Sequence, residues 1–197
     1  MIENKLDLDI ISLYDRNLKS LYSINQISKR LNKRYPYINK KVNLLIQSNI
    51  LQKVTLGRSH LCTLNLDNEE TVILLSLNEI KKKQGFHFKK REALDQLMRS
   101  LKDSVSLYCV IALPSQEKDR VVFVCNLPDE KEEIAKHAGS FGLDVLAYTK
   151  RELIAELSSS KNRMFDSHIV LYGYERFFEL VNEACQDINQ MYSSLRV

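Results

Sequence analysis

The 197-residue sequence predicts an α+β protein built in two parts. Segments with apolar residues at helical spacing lead into two short runs rich in Val, Thr and Leu around a glycine turn, and farther on apolar strands alternate with helices. Charge divides the chain as well. Residues 1–66 hold 11 Lys and Arg against 4 Asp and Glu, a net +7, whereas residues 67–197 hold 18 against 21, a net −3. The expected division is a basic domain over 1–66, a connecting helix over 67–84 and a small α/β domain over 85–197. A basic front ahead of a mildly acidic back implies that the front meets a polyanion.

With 44% hydrophobic and 27% charged residues, disorder, collagen and a disulfide scaffold are excluded. Cys62, Cys109, Cys125 and Cys185 are far apart and form no Cys-x-x-Cys pair, so neither structural zinc nor a disulfide framework is signalled. Buried thiols in a reducing cytosol are expected. The first ten residues carry acids and no signal-like apolar run, and Val72 to Leu77 and Tyr108 to Leu113 are far below the roughly 20 residues that cross a bilayer. A cytoplasmic protein with no membrane role, no cofactor and no metal is the expectation.

Ile10, Ile11, Leu13, Tyr14 and Leu18 recur at helical spacing and predict a first helix ending near 17–20. Ser23-Ile-Asn-Gln26 reads as a capping box that opens a second helix, with Ile24, Ile27 and Leu31 inward and Lys29, Arg30 and Lys33 outside. Pro36 suits the first helical residue, where its missing N–H costs nothing, and a third helix is expected to about Ser48. On that helix Ile38, Val42 and Leu45 cluster on one side, and Asn39, Lys40, Asn43 and Gln47 occupy the opposite arc. Asn and Gln can pair bidentately with adenine, Lys reaches guanine edges or phosphates, and Arg34 and Tyr37 could hold the backbone. Residues 50–56 and 60–66, with Gly57-Arg-Ser59 as the turn, make a β-hairpin whose tip carries Arg58.

Three helices followed by a basic-tipped hairpin form a winged helix-turn-helix. The run Tyr35-Pro-Tyr-Ile-Asn-Lys-Lys-Val-Asn-Leu-Leu-Ile-Gln-Ser-Asn-Ile-Leu-Gln-Lys, ending in Gly57-Arg-Ser-His-Leu-Cys-Thr-Leu-Asn65, resembles winged-helix regulators of the MarR and ArsR kind of archaea and bacteria. The resemblance spans about the first third of the chain. It implies that the third helix lies in the major groove and the hairpin touches the minor groove or phosphates, with Tyr37, Asn39, Lys40, Asn43 and Arg58 in those roles. Lys33, Tyr35, Lys41 and His60 join them as candidate DNA contacts, because the positive charge gathers on the helix, its approach and the wing.

Asp67-Asn-Glu-Glu70 predicts an N-capped start for a helix over Thr71 to Ile80, closed by Lys81, Lys82 and Lys83. Val72, Ile73, Leu74, Leu75, Leu77 and Ile80 make it apolar around most of its circumference, so one contact face cannot satisfy it. Burial between domains or against a second copy is expected, and a homodimer fits recognition of paired half-sites. Gly85 opens the back domain. There a helix over Lys89 to Lys102, strands over Val105 to Leu113 and Arg120 to Cys125, and a helix over Glu130 to His137 are expected. Gly139 and Gly142 then frame a loop before a strand over Leu143 to Tyr148, followed by a helix from about Lys150, the Ile169-Val-Leu-Tyr-Gly173 segment and a helix over Tyr174 to Tyr192.

That order, and the tail from Asp144-Val-Leu-Ala-Tyr-Thr-Lys-Arg-Glu-Leu-Ile through Ile169-Val-Leu-Tyr-Gly173, resembles the minimal nucleotidyltransferase fold. The family's chemistry uses a Gly-Ser pair after the first strand and an Asp-x-Asp pair entering the second, whose carboxylates hold two metal ions. Here Leu113-Pro-Ser115 leaves only Ser115, the Asp-x-Asp positions fall on Arg120 and Val122, and Asp119 sits one residue off the pattern. Asp144 matches the third carboxylate. The resemblance with these departures implies a catalytically inactive domain, not an enzyme, whose remnant of Ser115, Lys118, Asp119, Arg120 and Asp144 could take a nucleotide or another anion as effector, with cationic side chains replacing metal. The expected function is a homodimeric, DNA-binding transcription regulator of archaeal type acting on double-stranded DNA. Its alternatives are an active nucleotidyltransferase targeted by the winged helix, and a protein-interaction adaptor.

Overall fold

The computed structural model describes residues 5–15, 17–18, 20–86, 90–115, 119–159 and 167–194, the side chains of 186–194 excepted. Among the described residues it is a mixed α+β structure of eight helices and two sheets. The chain divides into two compact units, residues 1–78 and 79–197.

The first unit begins with α1 (Lys5–Ser12), which ends before the expected 17–20. Leu6, Ile10 and Ile11 are buried, and Tyr14 lies in the turn just beyond, fully buried, with its hydroxyl donating to the Cys62 carbonyl at 3.1 Å. Helix α2 (Ile24–Arg30) carries the capping box at Ser23 and Gln26, with both reciprocal hydrogen bonds made. Helix α3 (Tyr35–Gln47) has Pro36 in its first turn and buries Ile38, Val42 and Leu45. Asn49, at φ 58, turns the chain into β1 (Leu51–Leu56), which pairs antiparallel with β2 (Ser59–Leu64).

The hairpin turn is tighter than the sequence suggests. Ser59 already faces Leu56, so Gly57 and Arg58 alone form the turn, and Gly57 at φ 59 supplies the left-handed first position that a two-residue turn of the II′ kind needs. Tyr22, in the break ahead of α2, pairs with Cys62 through hydrogen bonds in both directions, at 3.0 and 2.8 Å. This single bridge adds a third, minimal strand to the hairpin.

Helix α4 (Glu69–Gly85) opens with the Asn68 side chain accepting from the Thr71 N–H, and it carries the division between the units. The Thr71 hydroxyl donates to the Ile50 carbonyl in the first unit. In the second unit, Glu79 accepts from the Val170 N–H at 2.7 Å and Lys83 donates to the Leu171 carbonyl at 2.8 Å. These two side chains, four residues apart on one helix face, cover the backbone of an edge strand.

That strand is β6 (Ile169–Tyr172) in a sheet of order β5-β4-β3-β6. Strands β3 (Leu107–Leu113) and β4 (Arg120–Cys125) are antiparallel, β5 (Asp144–Thr149) is parallel to β4, and β6 is antiparallel to β3. Helices α5 (Arg91–Leu101) and α6 (Asp129–Phe141) close one face, where Leu94, Leu97, Leu101, Val110, Val121, Phe123 and Ile134 form the core. Alternation sends Ile111, Val122 and Val124 to the other face, under α7 (Lys150–Ser158) and α8 (Tyr174–Ser194). The expected loop between Gly139 and Gly142 is not one. Helix α6 continues through Gly139 to Phe141, and only Gly142, at φ 60, ends it. Among the described residues no helix is long and apolar enough to cross a membrane.

Candidate nucleic-acid interface

The first unit presents one face of α3, the segment leading into it, and the hairpin tip. Lys33 and Arg34 are exposed just ahead of the helix, and Tyr35 and Tyr37 are exposed in its first turn. Lys40 and Asn43 are exposed on the side opposite Ile38, Val42 and Leu45, as is Gln47, whereas Asn39 is half-buried at the edge of that arc. The Asn43 amide donates to the Asn39 side-chain oxygen at 3.4 Å, one turn back. Arg58 is exposed at the hairpin tip, and exposed His60 pairs across the strands with Thr55, Nδ1 to Oγ1 at 3.2 Å. Helix α3 packs against β1, so the helix and the hairpin belong to one body.

Lys41 is placed differently. Its ammonium lies 2.8 Å from the carboxylate of buried Asp7 on α1. A step of 100° from Lys40 turns it toward the flank of the buried face, where it neutralises a carboxylate that would otherwise be stranded. It is removed from the outward set for that reason. Three further residues that the sequence reading did not select are exposed on the same elements: Leu44 on α3, and Gln52 and Lys53 on β1. Strand alternation sets Lys53 on the face of buried Leu51, so the local pattern held no signal for it. The helical projection assigned Leu44 to neither the core side nor the outward arc.

In the second unit the remnant residues gather at one end of the sheet. Asp144 is the strand partner of Arg120, and the Arg120 Nε lies 3.4 Å from its carboxylate. Asp119 accepts from the Ser115 backbone N–H at 3.3 Å. Lys118 lies outside the described residues. Among the described residues, no three His, Cys, Asp or Glu side chains converge in a group that could hold a metal ion.

A polar cluster at the opposite end of the sheet escaped sequence reading. Tyr108, at the irregularity in the β3–β4 register, has the Lys150 ammonium 3.8 Å from its ring centroid and Arg176 at 5.5 Å. Its hydroxyl donates to Glu179 at 2.6 Å, and burial followed by that carboxylate pushes its pKa up to about 12. Nearby, Lys131 and the Thr149 N–H hold the Glu152 carboxyl below its ordinary range. Each cation here already has a partner, so this end of the sheet reads as a fastening between β3, α7 and α8. Comparison of the chain with protein-family models, with curated proteins and with solved structures finds no match.

Proposed function

We propose that the first unit is a winged helix-turn-helix that binds double-stranded DNA, and that the protein is a homodimeric transcription regulator. One observation carries the reading: the α3 face bearing Lys40, Asn43 and Gln47 is exposed while its opposite face is fully used in the core, with Arg34 exposed at the start of the helix and Arg58 at the hairpin tip. A helix held by one face and free on the other can enter a groove without unfolding anything. The Tyr22–Cys62 bridge supports the wing, since it braces the hairpin against the segment before α2.

Self-association is supported by α4. Leu74 and Leu75 are buried on one side, while Ile73 and Ile80 are exposed and share the other with half-buried Leu77 at i, i+4, i+7 spacing. A second copy would cover that stripe. We read the second unit as a non-enzymatic, nucleotidyltransferase-like body that supports assembly or senses a nucleotide or anion in a cytoplasmic setting. Arg120 beside Asp144 supports this, because a carboxylate already paired with a guanidinium is poorly suited to clamp magnesium.

Fluorescence anisotropy on a labelled duplex pool tests the DNA reading. Arg58→Ala should weaken binding to all sequences alike, whereas Asn39→Ala and Asn43→Ala should relax preference at particular base pairs. Equal effects of all three on every sequence would remove the reading roles. Incorporation of labelled nucleotide that disappears in Asp144→Ala would overturn the non-enzymatic reading.

A further inference from the structure

We propose that Leu44 recognises the 5-methyl group of thymine in the major groove, and so directs this helix to sites rich in A·T pairs. The inference rests on the DNA-binding reading and gives it a base preference. On α3 the core face is complete without Leu44: Ile38 and Val42 are wholly buried and Leu45 is 4% exposed. Leu44 is 45% exposed.

A single surface leucine means little by itself. Its neighbours make this one informative. Lys40 stands one turn before it, Asn43 beside it and Gln47 nearly one turn after, and the four side chains share an arc of about 100° on the helix. Lys33, Arg34 and Arg58 add exposed positive charge from the approach and the hairpin. With α3 seated in the major groove, Leu44, on the arc it shares with Lys40, Asn43 and Gln47, would face base edges.

Major-groove edges offer hydrogen-bonding groups at every base pair and one apolar group, the thymine methyl. Leucine set over a G·C pair would strip water from the guanine acceptors or the cytosine amine and return no hydrogen bond. Over thymine it buries methyl against methyl. The adjoining amides agree, because Asn43 and Gln47 match adenine at two points.

The test uses the full chain and duplexes it selects from a random pool. Selected sites should carry a fixed thymine, and deoxyuridine at that position, which lacks only the methyl, should weaken binding about fourfold per methyl removed. In Leu44→Ala and Leu44→Gln the thymine and deoxyuridine duplexes should bind equally, with the salt dependence of binding unchanged. Circular dichroism melting should match the parent, since the side chain is outside the core. Wild-type binding that ignores deoxyuridine at every thymine, or methyl dependence that persists in Leu44→Ala, would overturn the assignment alone. Dissociation of a dimer by Leu44→Ala without any methyl dependence would also overturn it, marking the face as a contact between copies. If no duplex is bound at all, the DNA reading fails and the assignment with it.

Discussion

Lys40 and Lys41 are neighbours in sequence and face different surroundings. Lys40→Ala should weaken DNA binding and leave the melting temperature nearly unchanged. Lys41→Ala should cost about 1–3 kcal/mol of stability, because Asp7 loses the cation beside it while still buried. Urea melts of both variants check this, and equal stability losses would show that the ion pair contributes nothing. Titration gives a second residue-scale expectation. Burial raises the pKa of Tyr14, that of Tyr108 up to about 12 and that of Cys109 up to about 12. The native state then keeps protons that the unfolded chain releases from about pH 9 for the thiol and about pH 10 for the phenols. Stability should be full below that range and decline as pH rises toward 12. Urea midpoints unchanged between pH 8 and 11 would contradict the assignment.

Elements with strong local signals were legible from sequence. The capping box at Ser23 placed the start of α2, Pro36 placed that of α3 to within one residue, and the apolar run of β4 was read with its ends intact. Where a long-range contact decides, local pattern was insufficient. Nothing around Tyr22 announces that its backbone pairs with Cys62 40 residues on. Gly139 suggested a loop although α6 passes through it, since a glycine with a helical φ needs no exemption. Gly173 is different. At φ 71, an added Cβ would stand 2.3 Å from the Tyr108 carbonyl oxygen, so Gly173→Ala should destabilise the second unit by about 2–4 kcal/mol, read by calorimetry. The α4–β6 fastening was also invisible locally. Glu79 is 1% exposed, accepts from Val170 and pairs with Lys82 at 2.6 Å, with His168 at 3.9 Å. Glu79→Ala should therefore cost about 3–5 kcal/mol. A loss below about 1 kcal/mol in a urea melt would show that α4 does not hold that edge.

For the whole molecule, the division after Asn78 changes the charge account. It moves Asp67, Glu69 and Glu70 into the first unit, which then holds 11 basic and 7 acidic residues, while the second holds 18 of each. The entire +4 belongs to the unit with the candidate interface. The sequence's apparent acidic back arose from the boundary drawn at Leu66, because the first turn of α4 is acid-rich. The same helix carries the Ile73, Leu77 and Ile80 stripe, so Ile73→Glu with Ile80→Glu should convert a dimer to a monomer in sedimentation and weaken DNA binding. A wild-type monomer at micromolar concentration would remove self-association from the account. The most direct test of the central claim is the duplex affinity of the full chain measured against salt concentration. The expected result is a steep linear fall of log K with log salt, about 0.9 per phosphate neutralised, with a shallower slope in Arg58→Ala. Affinity that does not change with salt, or a slope identical in Arg58→Ala, would contradict it.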